Sequence, residues 1–450
     1  MKSYSLYKDS GIEWIGEIPT NWYTSKIKYT PDDSVNSFID GDWIESKDLS
    51  DEGIRYITTG NIGEGYYKEQ GKGFITEDTF EKLNCSEIFE GDLIISRLSL
   101  PVGRSCVLPM IHDKVVTSVD NVILRPKKHL NKYYLNYQFN SPKYFEYTEL
   151  ISRGVTLTRI SRGMLGNNPI VIPPLSEQTQ IVSFLDIKTQ KIDELIEKTE
   201  QKIELLKEKR TSLINHCVTK GLNPNVEMKD SDVEWIGEIP SSWDVKKLKY
   251  VSDIFSSSVD RHIHEDEIQV SICHYPDVYN NEFINDEIQF NKGSCSEVEF
   301  QRYILKKGLV ILTKDSETPD DIGNPCYVEI DFDNVVCGYH LTIIENNDID
   351  VNSKFLFRFI QSDKVRCHFE TESRGITRFS LGKSKIENLF VNLPSYSEQT
   401  QIVEYLDEQT QKIDSTIEKE TQRIELLKEY RQSLISEVVT GKVDVRDWKE

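Results

Sequence analysis

The sequence predicts an α+β protein that is built twice, with two globular domains and two long coiled-coil helices in a pseudo-twofold internal repeat. Three observations lead to this fold class: segments that recur at one fixed offset, apolar residues in heptads, and strand-like segments rich in Val and Ile. A chain of 450 residues corresponds to roughly two to four domains. The expected boundaries are a first domain at 1–172, a helix at 173–222, a second domain at 223–393, and a helix with a tail at 394–450.

The repeat is visible in two pairs of similar segments. Residues 8–22 (KDSGIEWIGEIPTNW) and 229–243 (KDSDVEWIGEIPSSW) match at 11 of 15 positions. Residues 176–215 and 397–436 match at 28 of 40 positions. Both pairs are offset by 221 residues, so the chain contains two copies of one unit.

The stretches between these blocks have diverged. Residues 23–172 and 244–393 match poorly and keep only short correspondences, such as GDLIISR (91–97) opposite GLVILTK (308–314). We interpret the similar segments as a shared scaffold and the divergent domains as surfaces that recognise two different things. Neutral drift after a gene duplication is the alternative explanation.

The segment that ends each repeat is predicted to be a helix. Ser176 is a suitable N-cap, no Pro or Gly interrupts residues 175–220, and Gly221 ends the segment. The second helix is expected to begin near Ser397 and to end at Gly441.

Apolar residues in these helices follow a heptad spacing. The first column contains Leu185, Ile192, Leu206 and Leu213, and its repeat contains Leu406, Ile413, Leu427 and Leu434. This spacing is typical of a coiled-coil seam. Polar residues interrupt it at Thr199, Arg210, Glu420 and Arg431. Packing of each helix on its own domain is the alternative.

The divergent domains have mixed patterns. Strand-like segments lie at 92–98, 115–126, 308–314 and 334–345, and helix-like aromatic segments follow at 133–147 and 353–370. Both domains are therefore predicted to be compact α+β folds.

Composition limits the possible functions. The net charge of −21 argues against a protein that coats nucleic acid by its overall charge. No apolar run approaches the roughly 20 residues that span a bilayer, and we expect a soluble cytoplasmic protein. The eight cysteines form no CxxC pair, which makes a disulfide framework or zinc finger improbable.

Catalytic motifs are absent or weak. There is no GxxxxGK[ST] phosphate loop. The glycines of TGNIGEGYY (59–67) are better explained by a loop, and NPCY (324–327) lacks the second Pro of an amino-methyltransferase box. The histidines and cysteine within 262–274 follow no structural zinc spacing. The motifs therefore predict no catalytic residue and no metal site.

Basic clusters are better candidates for function. Arg beside Gly, Ser and Thr is suited to phosphate and base-edge contacts, although an ordinary solvated face is the alternative. The candidate DNA-binding residues are Arg97, Arg104, Arg153, Thr158, Arg159, Arg162, Lys314, Arg374, Arg378, Lys383 and Lys385. Residues 244–393 carry 26 acidic and 17 basic residues, so DNA binding there requires the acids to face away from the duplex.

The chain resembles the specificity (S) subunits of type I restriction-modification systems over essentially its whole length. The resemblance is carried by YKDSGIEWIGEIPTNW (7–22) and its repeat at 230–243, and by the SEQTQIV segments that open both helices. GDLIISR (91–97) and SRGVTLTRIS (152–161) also resemble motifs of the family's domains. The resemblance implies two target-recognition domains, two helices packed antiparallel as a spacer, and a circular pseudo-symmetry in which the tail 440–448 continues toward the N-terminus.

The resemblance also implies partners. Such a subunit is not an enzyme; it reads a bipartite, asymmetric DNA target and docks two modification (methyltransferase) subunits, which restriction subunits join. S-adenosylmethionine and ATP are expected on those partners, and no cofactor is expected on this chain. Two rival functions are a duplicated coiled-coil assembly scaffold and an acidic mimic of DNA.

Overall fold

The computed structural model describes residues 2–33, 36–71, 73–154 and 157–449. The chain separates into two compact units. Unit 1 consists of residues 1–200 and 422–450, and unit 2 consists of residues 201–421. Each unit therefore holds one divergent domain together with parts of both long helices. None of the described helices is long and apolar enough to cross a membrane.

The domain of unit 1 is built on two four-stranded sheets. The strands are β1 (Tyr7–Asp9), β2 (Glu17–Pro19), β3 (Tyr23–Lys26), β4 (Phe38–Asp40), β5 (Ile54–Ile57), β6 (Gly73–Ile75), β7 (Glu87–Ile88), β8 (Leu93–Ser96), β9 (Ser105–Val107), β10 (Val115–Thr117), β11 (Asn121–Leu124) and β12 (Pro169–Ile172). The strand orders of the two sheets are β6-β5-β10-β7 and β4-β11-β8-β9. The short helices are α1 (Glu77–Leu83), α2 (Lys132–Phe139), α3 (Pro142–Ile151) and α4 (Arg162–Asn167), and α5 (Leu175–Lys220) is the first long helix.

The domain of unit 2 has a five-stranded sheet and a three-stranded sheet at its centre. The strands are β13 (Met228–Asp230), β14 (Glu238–Pro240), β15 (Asp244–Lys247), β16 (Ser252–Ser256), β17 (Ile268–Cys273), β18 (Phe283–Ile284), β19 (Asn291–Cys295), β20 (Val310–Thr313), β21 (Asp315–Ser316), β22 (Pro325–Val328), β23 (Val335–Cys337), β24 (Leu341–Asn346), β25 (Arg374–Gly375), β26 (Phe379–Ser380) and β27 (Phe390–Leu393). The strand orders are β16-β24-β20-β22-β18 in the first sheet and β19-β17-β23 in the second. The helices are α6 (Tyr275–Tyr279), α7 (Glu297–Tyr303), α8 (Ser353–Ile360), α9 (Asp363–Glu372), α10 (Lys383–Glu387) and the second long helix, α11 (Tyr396–Val439).

The prediction of two α+β domains is confirmed. The predicted strand segments form β8, β10 and β11 in unit 1 and β20, β23 and β24 in unit 2. Runs of Val, Ile and Leu form these strands because they bury side chains on both faces of the sheet. Each helix-like aromatic segment splits into two helices, since Ser141 and Ser362 interrupt the helical backbone.

The two long helices have the bounds that their sequences predict to within one or two residues. Each ends at a glycine in the left-handed conformation, Gly221 with a φ of 75° and Gly441 with a φ of 74°. Glycine adopts this conformation without the steric strain that a Cβ atom would cause, so a glycine at this position ends the helix after its last turn.

Within each unit the two long helices run antiparallel. In unit 1, Asp193 of α5 pairs with Arg431 of α11 at 2.8 Å. In unit 2, Lys202 contacts Glu420 at 2.6 Å and Arg210 contacts Asp414 at 2.8 Å, so partner numbers fall as the numbers along α5 rise. The predicted antiparallel arrangement is confirmed.

The predicted seam residues are shielded from solvent to different degrees. Five of the eight are buried: Leu185, Ile192, Leu406, Ile413 and Leu434. The other three, Leu206, Leu213 and Leu427, are half-buried. Three of the polar interruptions, Arg210, Glu420 and Arg431, form ion pairs between the helices, which explains why charged side chains are tolerated there.

The chain termini meet inside unit 1. Lys2 forms a β-bridge with Asp444, and its ammonium lies 3.1 Å from the carboxylate of Asp447. Lys442 donates a hydrogen bond to the carbonyl of Glu17. In unit 2, Lys220 donates to the carbonyl of Glu238 in the same way, but there the chain is continuous.

Candidate nucleic-acid interface

A hairpin-like loop in unit 1 carries the predicted segment 153–159. Arg153 and Arg159 exchange backbone hydrogen bonds of 3.0 and 2.8 Å, and the amide of Ser99 donates to the carbonyl of Thr158. Thr158 is half-buried, whereas Leu157 at the tip is 62% exposed. Residues 155 and 156 lie outside the described part of the chain.

The basic side chains of this loop differ in what they contact. Arg159 pairs with Asp120 at 2.7 Å, and Arg162 lies 3.5 Å from Asp40. Arg153 is exposed and forms no ion pair or hydrogen bond through its side chain with the described residues. It is therefore the residue of this loop that is most available to a ligand.

Arg97 and Arg104 have structural roles. Both are buried, and burial lowers the pKa of each guanidinium. Arg97 pairs with Asp40 at 3.1 Å and donates to the carbonyl of Ile160. Arg104 donates to five carbonyls, those of Thr59, Ile62, Leu98, Ser99 and Pro101. These side chains hold the base of the loop and have few donors left for DNA.

Unit 2 has the same hairpin in a regular form. Strands β21, β26 and β25 form a small sheet in which Arg374 pairs with Ser380. These two residues lie 221 positions after Arg153 and Arg159, which pair in unit 1, so the two hairpins have the same register. The tip is highly exposed, with Ile376 at 95%. Arg374 and Arg378 are exposed, and neither side chain forms an ion pair or hydrogen bond with the described residues.

The remaining predicted residues of unit 2 flank this hairpin. The amide of Leu381 donates to the carbonyl of Lys314, whose side chain is half-buried. Lys383 pairs with Glu387 at 3.3 Å, and Lys385 pairs with Glu372. The last two lysines are partly neutralised by these carboxylates.

Acidic residues lie directly beside the hairpin of unit 2. A cavity of about 560 Å³ is lined by Tyr275, Tyr279, Asp315, Ser316, Glu317, Thr318, Asp321, Thr377 and Arg378. The rings of Tyr275 and Tyr279 are stacked with their centroids 5.7 Å apart, and the Tyr279 hydroxyl donates a hydrogen bond of 2.9 Å to the carboxylate of Asp321. Carboxylates of this kind accept hydrogen bonds from the cytosine amino group, so acidic groups at this position are compatible with base readout.

Unit 2 has a second basic group that the sequence does not predict. A cavity of about 400 Å³ is lined by Arg261, His274, Tyr275, Pro276, Asn291, Lys292, Tyr339 and His340, none of which is acidic. Antiparallel pairing of β17 with β19 brings Lys292 opposite Ser271, close to His274 and distant from it in sequence. Burial lowers the pKa of His274. No local spacing in the sequence signals this group, because strand pairing assembles it.

The weak motifs have structural explanations. Residues 59–67 connect β5 to β6, as expected of a loop. NPCY (324–327) enters β22, where Cys326 is fully buried. Among the described residues, no group of His, Cys, Asp or Glu is arranged to hold a metal ion.

A sequence model of the type I restriction modification DNA specificity domain matches residues 28–205 and again residues 240–428. The chain belongs to this family. It is the DNA specificity component of a type I restriction-modification system and is not itself the enzyme. Membership decides against the assembly scaffold and the DNA mimic as its function.

Similar proteins support this assignment. The chain is 23% identical to the putative type I restriction enzyme MjaX specificity subunit of Methanocaldococcus jannaschii, over 98% of each chain. It is 25% identical to the MjaIX specificity subunit of the same organism, over 96% of each chain.

Solved structures share the fold. A chain from a study of complex assembly and conformational transition in the type I R-M system has a TM-score of 0.72 at 14% identity, covering 95% of this chain and 99% of that one. The HsdS subunit from Thermoanaerobacter tengcongensis has a TM-score of 0.55 at 14% identity, covering 95% of this chain and 98% of that one.

Proposed function

We propose that each unit reads one half of a bipartite, asymmetric DNA target through its hairpin and the surface beside it. The observation that carries this proposal is the hairpin itself, which has the same backbone register in both units but carries Leu157 and Thr158 in unit 1 where unit 2 has Arg378 and Phe379. A shared backbone presents both hairpins to DNA in the same way, whereas different side chains select different bases.

The contacts divide the candidate residues by role. Arg153, Arg374 and Arg378 are exposed and available for phosphate or base contacts. Arg159, Arg162, Lys383 and Lys385 contribute positive charge that nearby carboxylates reduce. The basic cavity of unit 2, with Arg261 and Lys292, adds a phosphate-binding surface to the domain with more acidic residues.

The similar helices favour two copies of one partner. Leu205 and Leu426 occupy the same position of the repeat, and each is 65% exposed. A surface that recurs on two similar helices suits two identical modification subunits, one on each. In this proposal restriction subunits join the modification subunits, S-adenosylmethionine and ATP bind to those partners, and the complex acts in the cytoplasm.

The test is to sequence methylated bases at single-molecule resolution in cells that carry this chain with its methyltransferase. A cell with the methyltransferase alone is the control. The expected result is one motif with two unlike halves and a fixed gap. A continuous motif, or methylation that does not depend on this chain, would contradict the proposal.

A further inference from the structure

The junction between domain and helices in unit 2 is closed by a network of charged side chains. Arg358 of α8 is 1% exposed and pairs with Glu282 and with Asp407 of α11, the latter at 3.0 Å. Lys354 also pairs with Asp407, at 2.8 Å. Arg210 of α5 joins Glu282 to the long helices. Two cations of α8 therefore neutralise the carboxylates at this junction.

The guanidinium of Arg358 also has aromatic neighbours. It lies 5.5 Å from the ring centroid of Phe283 and 5.2 Å from that of Phe357. Carboxylates at its edge and rings at its face are the two environments that a guanidinium prefers.

Unit 1 keeps the carboxylates of this junction but lacks the two cations. At the offset of 221, Asp186 replaces Asp407, while Tyr133 and Tyr137 replace Lys354 and Arg358. The Tyr137 hydroxyl donates to Asp186 at 2.7 Å.

Strand pairing identifies the counterpart of Glu282. Gly65 pairs with Cys106 in unit 1 as Phe283 pairs with Tyr327 in unit 2, and Cys106 and Tyr327 are 221 residues apart. Glu64, which precedes Gly65, is therefore the counterpart of Glu282. Arg431, the counterpart of Arg210, pairs with Asp193 at 2.8 Å.

In unit 1 the counterparts of this network line a cavity. Its volume is about 450 Å³. Its lining includes Glu64, Tyr133, Tyr137, Asp186, Arg431 and Ile435. Glu146 and Glu149 line it as well, so four carboxylates face one arginine that already has a partner.

We propose that this cavity binds the guanidinium of an arginine from a partner protein, in the manner in which unit 2 binds its own Arg358. An arginine fits better than a lysine because its planar donors can bridge Glu64 and Asp186 while its face lies on the tyrosine rings. The inference rests on the proposed function only in that partner subunits dock on this chain. It gives unit 1 an interaction that unit 2 cannot form.

The experiment uses the full chain with ¹³C-labelled isoleucine methyl groups and L-argininamide as the probe. The signal of Ile435, which lines the cavity, is expected to shift saturably with a Kd on the order of 1 mM. L-citrullinamide has nearly the same shape but carries a neutral urea in place of the guanidinium, and it should leave the Ile435 signal in place. Ile214, the counterpart of Ile435 in unit 2, is the internal control and should not respond.

Variants test the mechanism. Tyr137→Arg places a guanidinium in the cavity from within and should abolish the response, whereas Tyr137→Phe keeps the ring and should retain it. Glu64→Gln should weaken binding several-fold. The methyl signals of isoleucines in the core of unit 1 away from the cavity, such as Ile95, report whether each variant is folded.

Three results would overturn the inference. They are an Ile435 methyl signal that does not shift with argininamide, a signal that shifts equally with citrullinamide, and a shift that persists in a folded Tyr137→Arg protein. None of these bears on DNA recognition, which the methylation motif tests separately. Conversely, argininamide binding without any methylation motif would contradict only the proposed function.

Discussion

Unit 1 and unit 2 differ in their contacts where each domain meets the long helices. Unit 2 joins them with a buried network in which Arg358 binds Glu282 and Asp407. At the counterpart of this network, unit 1 has the Tyr137 hydroxyl donating to Asp186 and a cavity beside it. The repeat therefore preserves the backbone and the carboxylates, while the partner of those carboxylates has changed.

The units also differ in how their chains close. In unit 2 the chain runs without interruption from α5 into β13. In unit 1 the same place is closed by contacts of the tail with the N-terminus, such as the β-bridge of Asp444 with Lys2, and with α5, where the ring centroids of Trp448 and Phe184 lie 5.2 Å apart. One unit is thus held by covalent continuity where the other depends on noncovalent contacts.

The largest expected effect comes from exchanging one domain. Replacing residues 244–393 with the equivalent domain of a relative should change one half of the methylated motif completely and leave the other half intact, because the two domains have separate cores. Sequencing of methylated genomes gives the motif. Replacing residues 23–172 is the matched control and should change the opposite half; a change in both halves after either exchange would mean that the domains do not read independently.

The second prediction concerns the buried network. Arg358→Ala should destabilise unit 2 by about 3–5 kcal/mol, because it leaves Glu282 and Asp407 without their shared cation. Its counterpart Tyr137→Phe should cost unit 1 only about 0.5–1.5 kcal/mol, the loss of one hydrogen bond. Hydrogen–deuterium exchange of peptides from α8 and α2 measures each effect in its own unit.

A compensating variant sharpens this comparison. Adding Glu282→Gln and Asp407→Asn to Arg358→Ala removes the two carboxylates that have lost their shared cation and keep only Arg210 and Lys354, and should restore part of the lost protection. A triple variant that is less stable than Arg358→Ala would show that packing, and not charge, accounts for the loss.

The third prediction addresses the closure of unit 1. Trp448→Ala removes a half-buried ring from Phe184 and should lower the stability of unit 1 by about 1–3 kcal/mol. Unit 2 has Glu227 at the corresponding position, so the hydrogen–deuterium exchange of unit 2 peptides should not change. Loss of protection in both units would contradict the view that this contact serves unit 1 alone.

The sequence was sufficient wherever the determinants are local. The helices could be predicted because an uninterrupted heptad pattern ends at a glycine such as Gly221. The predicted N-cap was wrong by one or two residues, since α5 begins at Leu175 and Ser176 lies within its first turn. The strands could be predicted because runs of Val and Ile are buried on both faces.

Features that depend on burial or strand pairing could not be predicted. Nothing in the local sequence distinguishes Arg104, which donates to five carbonyls, from exposed Arg153. The correspondence of Glu64 with Glu282 is also hidden, because insertions in the divergent domains shift it away from the offset of 221.

The smallest expected effect compares the two hairpins. Arg153→Ala and Arg374→Ala each remove an exposed guanidinium at the same backbone register, so each should weaken binding of the complex to DNA several-fold. If the lost contact is with a phosphate, the slope of log affinity against log salt should fall by about 0.9. Arg159→Ala should have a smaller effect, because the charge of Arg159 is already shared with Asp120.

Fluorescence anisotropy over a range of salt concentrations measures both the affinity and the slope. Lys428→Ala, on an exposed face of α11 and paired with Glu425, is the matched control and should change neither. If Arg374→Ala alone has an effect, unit 1 reads its half-site with other residues, and the two hairpins share a backbone without sharing a role. If both variants weaken binding and the double variant lowers the slope by the sum of the two single changes, the shared register positions the same phosphate contact in each half of the target. The side chains that differ between the hairpins would then select the bases.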